Sequence, residues 1–245
     1  MSLTEVKPYD VVKKQSRLKI NGFVRVFTSL VIAHLVAMVL SYNGTGSMGG
    51  SANGGMFNYR FNLISGDMIF IFTLIWAAVI PYGLVKDEQR DIDFTFVSNR
   101  LTNHLSNFVF LALMSLFGAI MTLGTSLLFK TLVYLLNSNV SVHTSYAFFD
   151  IFIAIAVMFM YILLLASLGY AVSLMMNTHV IMKVVVPVTI FGLAFLDPVH
   201  GTFSSMFQFY VFESSLILLS IKVIFTVIAL FGVILLVSNR WEVRA

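Results

Sequence analysis

The sequence predicts an all-α integral membrane protein that crosses a bilayer six times. Of its 245 residues, 59% are hydrophobic and 11% are charged, whereas a soluble domain contains roughly 45–50% apolar and about 25% charged residues. Helical apolar stretches of about 20 residues match the hydrocarbon thickness of a bilayer, and lipid forces backbone groups to pair within helices or closed barrels. The segments between these stretches are too short to bury a soluble core. One membrane domain therefore accounts for the chain.

The composition also excludes several kinds of chemistry. The sequence contains no cysteine, so disulfides, thiolate metal sites and thiol nucleophiles are excluded. The net charge is +4, and the 15 basic residues are spread over flanks and loops and do not form a block that would bind nucleic acid. The positions of these basic residues are explained better by the orientation of the chain in a membrane than by binding of nucleic acid.

The first 22 residues predict an amphipathic helix on the cytoplasmic membrane surface. Basic residues are mixed there with apolar ones, so the cations can lie among anionic lipid headgroups while the short apolar face dips below them. An unstructured basic tail is the alternative. The basic residues are Lys7, Lys13, Lys14, Arg17 and Lys19.

Six apolar stretches predict the transmembrane domain, which occupies 23–238. The stretches lie near 23–42, 67–85, 107–129, 151–175, 180–196 and 215–237, and a short cytoplasmic tail follows at 239–245. If the amino terminus lies inside, 12 of the 15 basic residues fall on the cytoplasmic side. The positive-inside rule therefore predicts that both termini are cytoplasmic.

Two outer segments differ in composition. The loop after the first span is rich in Gly, Asn and Ser, which predicts a mobile segment because such a composition loses much entropy on ordering and buries little. The segment 197–214 carries five aromatic residues. Aromatic residues concentrate at membrane boundaries, so this segment predicts a re-entrant or interfacial hairpin between the fifth and sixth spans.

A charged cytoplasmic segment, 86–107, joins the second and third spans. Six of its first eight residues are charged, and apolar residues follow, among them Phe94, Phe96 and Leu101. This pattern is typical of a short helix with one charged and one apolar face, which suits docking on a partner. The alternative is an ordinary solvated turn.

With these features the chain resembles ABC-2 type permeases, which are the membrane subunits of ABC exporters. The resemblance lies in the charged segment, the six spans, the basic amino-terminal helix and the outer aromatic hairpin. In that family the segment after span two forms a coupling helix, which often opens with Glu and closes on a Pro-x-Ser-Arg-like turn. This chain has Glu88 and then Val97-Ser98-Asn99-Arg100, and it lacks the Pro and the family's Gly-Thr pair. The resemblance implies that an ATPase subunit is contacted by Asp87, Glu88, Arg90, Asp91, Asp93, Phe94, Phe96 and Arg100.

The resemblance also implies partners and a location. Separate cytoplasmic ATPase subunits would bind ATP and Mg, this chain would bind no cofactor, and a second permease half, identical or related, would complete the transporter. A short half-permease without a fused ATPase is similar to exporters of peptides, bacteriocins or phenol-soluble modulins in Gram-positive bacteria. The expected location is thus the bacterial cell membrane.

The same resemblance implies a cargo pathway. Spans two and five of such permeases line a cavity at the dimer interface, and here both spans carry aromatic residues and a proline. An aromatic, uncharged wall suits an amphipathic or lipophilic cargo, although these side chains can equally face lipid or pack in the core. The pathway residues are Phe70, Phe72, Trp76, Pro187, Phe191 and Phe195.

A few residues inside the spans have other expected roles. His34 lies midway along the first span, where an ionisable group is a functional candidate by default; the alternative is a neutral imidazole that is hydrogen-bonded to a neighbouring helix. Lys130, Lys183 and Lys222 are close enough to span ends to snorkel. Small residues on span four predict close helix packing. They are Ala166, Ser167, Gly169, Ala171 and Ser173.

Catalytic motifs are absent from the sequence. It contains no His-Glu-x-x-His, Gly-x-Ser-x-Gly or Walker-type loop, so the chain is not expected to be an enzyme, and its scattered histidines predict no metal site. Two rival hypotheses remain. A membrane-embedded lipid-modifying enzyme would hold a divalent cation at Asp87, Glu88, Asp91 and Asp93, and a non-transporting immunity or assembly protein would have the same sequence features.

Overall fold

The computed structural model describes residues 8–22, 24–42, 46–52, 57–63, 66–85, 100–136, 148–178, 180–213 and 215–241. Within these ranges the chain forms eight α-helices and one antiparallel hairpin. The elements, in order, are α1 (Pro8–Gly22), α2 (Val24–Tyr42), β1 (Gly46–Ala52), β2 (Phe57–Leu63), α3 (Asp67–Val85), α4 (Arg100–Leu136), α5 (Phe148–Thr178), α6 (Met182–His200), α7 (Thr202–Val211) and α8 (Leu216–Trp241).

Four helices are long and apolar enough to cross a membrane. They comprise all of α3 and the segments Leu101–Leu136, Phe148–Asn177 and Leu216–Leu236 of α4, α5 and α8. This confirms the predicted helical membrane character. Two shorter apolar stretches, Val26–Tyr42 in α2 and Met182–Leu193 in α6, coincide with the first and fifth predicted spans, so six crossings stay a prediction. The longest helix, α4, has 37 residues and extends past both predicted ends of the third span.

Helix α5 lies at the centre of the bundle, where it packs against α3, α4, α6 and α8. It lies very close to α3 at Gly169, where an added Cβ would collide with the backbone carbonyl of Ala78. The neighbouring small residues Ala166, Ser167, Ala171 and Ser173 are also buried. These contacts confirm the predicted packing role of the small residues, because only such side chains let two helix backbones approach so closely.

The amino-terminal helix forms as predicted, but its orientation differs in one respect. Val12, Gln15, Ser16 and Lys19 occupy positions i, i+3, i+4 and i+7 and are buried on the face that packs against α4, whereas Lys13, Lys14 and Arg17 are exposed. Lys19 was expected among lipid headgroups, and that expectation was wrong. Residues with this spacing share one helix face, and α4 supplies hydrogen-bond acceptors for the Lys19 ammonium.

The segment after α2 contains a two-stranded hairpin, which the prediction of an all-α fold with a mobile loop did not anticipate. Strands β1 and β2 pair in register from Gly46↔Leu63 to Ala52↔Phe57. The glycine-rich composition of β1 favoured the prediction of a loop, although β2 has the sequence pattern of a strand. In β2, apolar or aromatic residues alternate with polar ones, at Phe57, Tyr59, Phe61 and Leu63. Alternation with a period of two is typical of a strand.

The predicted aromatic hairpin before the last span coincides with α7. Gly201 separates α6 from α7 with a φ of 63°, a left-handed conformation that glycine adopts without a steric cost. The chain therefore turns sharply between the two helices, and Ser205 N–H bonds the Gly201 carbonyl to begin α7.

Candidate functional site: a polar junction at the start of α4

Polar side chains from three helices meet where α4 begins. We call this group the junction network, and it consists of Lys19 from α1, Asn103, His104, Ser106 and Asn107 from α4, and Tyr170 from α5. The α4 residues occupy the first two turns of a helix that is apolar further along. Asn103, Ser106 and Asn107 lie on one face of α4 because they are spaced at i, i+3 and i+4. This face is the one that meets α1 and α5.

The Lys19 ammonium is the charged centre of the junction network. Only 5% of this residue is exposed, and its Nζ donates to Asn103 Oδ1 at 2.8 Å, Ser106 Oγ at 3.0 Å and Asn107 Oδ1 at 2.5 Å. A buried cation is costly unless it is paired or hydrogen-bonded. An ammonium carries three hydrogens and no acceptor, so three oxygens on α4 match its donors.

The network continues from α4 to α5 through the other end of the Asn107 amide. Asn107 Nδ2 donates to the Tyr170 hydroxyl at 2.8 Å, and this hydroxyl lies 2.9 Å from His104 Nδ1. All four of Lys19, His104, Asn107 and Tyr170 are at least nine-tenths buried. Three helices that are distant in sequence are therefore joined by direct side-chain hydrogen bonds.

A second contact ties the end of α3 to α5. Asn177 Nδ2 donates to the carbonyl of Val85 at 2.5 Å, and Val85 is the last residue of α3. Carbonyls at a helix end have no partner within the helix, so Asn177 caps α3. Residues 86–99 of the charged segment therefore follow a residue that is bonded to α5, and they precede a helix, α4, in which Asn107 is also bonded to α5.

His34 belongs to a separate polar cluster in the middle of the bundle. Its Nε2 lies 3.0 Å from Thr73 Oγ1 on α3 and its Nδ1 lies 3.0 Å from Thr125 Oγ1 on α4, while Thr73 Oγ1 also contacts Thr122 Oγ1 at 2.8 Å. A neutral imidazole has one donor and one acceptor, and hydroxyls supply either role. These contacts agree with the interpretation of His34 as a residue hydrogen-bonded to neighbouring helices.

Lys222 anchors the opposite end of the bundle. Its Nζ donates to the Phe209 carbonyl at 2.9 Å and to Glu213 Oε2 at 2.5 Å, and it lies 3.9 Å from the centroid of the Phe209 ring. The hydrogen bond from Lys222 lowers the pKa of Glu213 below its ordinary value. Lys222 therefore ties α8 to the carboxyl end of α7, and its snorkelling toward the membrane surface stays a prediction.

The predicted site residues are distributed over several places. The coupling-helix residues Asp87, Glu88, Arg90, Asp91, Asp93, Phe94 and Phe96 lie outside the described residues, and Arg100 is the first residue of α4.

The six pathway residues form two groups. Trp76 is buried and donates from Nε1 to Ser29 Oγ at 3.0 Å, and Phe70 and Phe72 are half-buried on the same helix. On α6, by contrast, Phe191 and Phe195 are 66% and 84% exposed, and Pro187 is half-buried. Beside Trp76, a cavity of about 10 Å³ between α3, α4 and α5 has room for no more than about one water. It is too small to carry cargo.

Sequence reasoning missed most of the junction network. Lys19 was assigned to the lipid surface, and Asn103, Ser106, Asn107 and Tyr170 were not identified as a group. A signal was present, since three small polar residues at i, i+3 and i+4 on an otherwise apolar helix require buried partners. The sequence did not reveal that the partner was α1.

Comparisons with protein families, with curated proteins and with solved structures found no match for this chain. Among the residues that the structure describes, no three His, Asp or Glu side chains are grouped so that they hold a metal ion. The hydrogen bonds of the junction network, which start from a buried cation, join α1, α4 and α5.

Proposed function

We propose that this chain is the transmembrane permease subunit of an ATP-driven ABC exporter, which moves an amphipathic or hydrophobic cargo while a separate subunit hydrolyses ATP. The observation that carries the proposal is the attachment of the charged segment 86–99. It is bounded by Val85, which is bonded to Asn177, and by α4, in which Asn107 is bonded to Tyr170. A segment that receives force from an ATPase needs such stiff connections to the membrane helices.

The proposed topology has six crossings and both termini in the cytoplasm. Helix α2 has 19 residues, which gives a length of about 28 Å, close to the hydrocarbon thickness. With this orientation α1, the segment 86–99 and the start of α4 all lie on the cytoplasmic side. A cytoplasmic ATPase subunit would meet them there.

The proposed cargo route lies between two permease halves. The cavity beside Trp76 is too small for cargo, whereas α6 presents exposed apolar residues along most of its length, including Val188, Phe191 and Phe195. A second half placed against such a surface would enclose an aromatic, uncharged wall. Such a wall favours lipophilic or amphipathic cargo over ions.

The direct test is capture of an ATPase. The tagged chain is solubilised from its own membranes in mild detergent and purified. It is expected to bring with it a subunit that binds ATP, and the recovered proteins are identified by mass spectrometry. Charge reversal at Glu88 and Asp91 is expected to reduce ATPase recovery by about tenfold, since several charged contacts are inverted. Charge reversal at exposed Lys13 is the control.

The proposal is refuted if no ATP-binding subunit is recovered and if the Glu88 and Asp91 reversals leave export intact. Magnesium-dependent lipid turnover by the isolated chain would favour a membrane-embedded enzyme. Survival of a toxin challenge without any transport would favour an immunity protein.

A further inference from the structure

We infer that Lys19 is a positioning residue, which fixes the arrangement of α1, α4 and α5 by orienting the side-chain amide of Asn107. The arrangement is a property of the chain itself, and its consequence for transport rests on the proposed function. The donors and acceptors of the junction network, together with the unpaired amide of Gln15 on α1, support this role.

The first step is the orientation of the Asn107 amide. An ammonium only donates hydrogen bonds, so the oxygen of Asn107 must face Lys19, and the two atoms lie 2.5 Å apart. The amide nitrogen is then directed to the Tyr170 hydroxyl at 2.8 Å. If the Asn107 amide were rotated by about 180°, its N–H group would face the N–H groups of Lys19, and no hydrogen bond could form between them.

The second step is the path of the bonds beyond Asn107. The Tyr170 oxygen accepts from Asn107 and also lies 2.9 Å from His104 Nδ1. A continuous path of hydrogen bonds therefore links Lys19 through Asn107 and Tyr170 to His104, and the charge of Lys19 fixes the orientation of the Asn107 amide in that path.

The third step is that α1 needs Lys19 in order to stay docked. Among the α1 side chains that the structure describes, four are buried, namely Val12, Gln15, Ser16 and Lys19. Gln15 is 2% exposed, and neither atom of its amide has a hydrogen-bond partner. An unpaired buried amide disfavours the docked position. The three hydrogen bonds from Lys19 to α4 offset this cost and attach α1 to α4.

The consequence for the proposed permease concerns both ends of the segment 86–99. Asn177 holds the end of α3 on α5, and the Lys19-oriented Asn107 holds the start of α4 on the same helix. With both connections in place, a displacement of the segment moves α1, α4 and α5 together. Without Lys19, α1 separates from this unit.

The experiment uses the full chain in lipid nanodiscs and exploits its lack of cysteine. Spin labels at Lys14→Cys on α1 and Leu168→Cys on α5, both exposed positions, report the distance between these helices by electron paramagnetic resonance. Lys19→Met is expected to broaden the distance distribution and to lower the docked population by about tenfold, the scale of a lost charge-assisted hydrogen bond. Lys13→Met, on the exposed face of α1, should leave the distribution unchanged.

A second measurement separates positioning from simple packing. Nitrogen NMR of the histidines reports which ring atom of His104 carries the hydrogen. Asn107→Asp retains an acceptor for Lys19 but removes the donor to Tyr170, so α1 should stay docked while the His104 signals change. This variant also keeps the inference testable if Lys19→Met does not fold.

The inference is overturned if folded Lys19→Met keeps the narrow distance distribution, or if Asn107→Asp leaves the nitrogen signals of His104 unchanged. These outcomes do not depend on any ATPase. Failure to recover an ATP-binding subunit would refute the proposed function and leave the distance and NMR results standing.

Discussion

At the scale of single residues, several polar groups inside the bundle have hydrogen-bond partners on other helices. His34 joins α2 to α3 and α4 through Thr73 and Thr125, and Trp76 joins α3 to α2 through Ser29. Hydrogen bonds between membrane helices contribute about 0.6 kcal/mol on average and at most about 1.7 kcal/mol. Each such residue therefore adds modestly to stability while fixing the relative position of its helices.

Replacement of His34 tests this estimate. His34→Leu removes two interhelical hydrogen bonds and is expected to destabilise the protein by about 1 kcal/mol, as measured by unfolding in bicelles. Leu35→Ala, at an exposed position of the same helix, serves as the control. A loss of export far beyond the loss of folded protein would show that His34 has a role beyond packing.

Glu213 gives a residue-scale prediction for pH. Its folded-state pKa is lowered by the hydrogen bond from Lys222, so the ion pair stabilises the folded protein at pH values above the ordinary pKa of a glutamate. This stabilisation is lost as the pH falls through the lowered pKa. Wild type is expected to melt at a slightly higher temperature than Glu213→Gln at neutral pH, and the difference should vanish on acidification. A difference that is constant with pH would contradict the assignment.

At the scale of helices and strands, α3 and α5 pack closely at Gly169. Gly169→Ala is expected to destabilise the protein by about 1–3 kcal/mol, because the added methyl group meets the Ala78 backbone and the helices must move apart. Gly232→Ala is a matched control, since nothing lies within 4 Å of its added Cβ. That variant should be neutral or slightly stabilising, because alanine favours helix more than glycine does. Equal melting temperatures for both variants would contradict the packing described here.

The helices and strands also show which features of the fold could be predicted from the sequence. Long apolar runs predicted the helices, and the small residues around Gly169 predicted a close contact, because both are local patterns. The attachment of α1 was not predictable in this way, since Lys19 bonds residues 84 to 88 positions away. The hairpin was missed for another reason: a glycine-rich strand has no side-chain alternation, and its pairing depends on the neighbouring strand β2.

At the scale of the whole molecule, the orientation in the membrane is the property to measure first. Single cysteines introduced at Lys14 in α1 and at Ser205 in α7, both exposed, should react differently with a membrane-impermeant thiol reagent. Ser205→Cys is expected to be labelled on intact cells, and Lys14→Cys only after permeabilisation, because the positive-inside rule places α1 in the cytoplasm. Labelling of both residues on intact cells would contradict the proposed topology.

The length of α4 has a mechanical consequence. Its 37 residues give a rod of about 55 Å, whereas the hydrocarbon core is about 30 Å thick. If this rod tilts by about 5° around its middle, each end moves sideways by about 2.4 Å, with no change in any of its internal hydrogen bonds. In the proposed permease, a small push at the Arg100 end would thus become an opposite movement at the Leu136 end. The helix would act as a lever, and the Lys19 and Tyr170 contacts join its Arg100 end to α1 and α5.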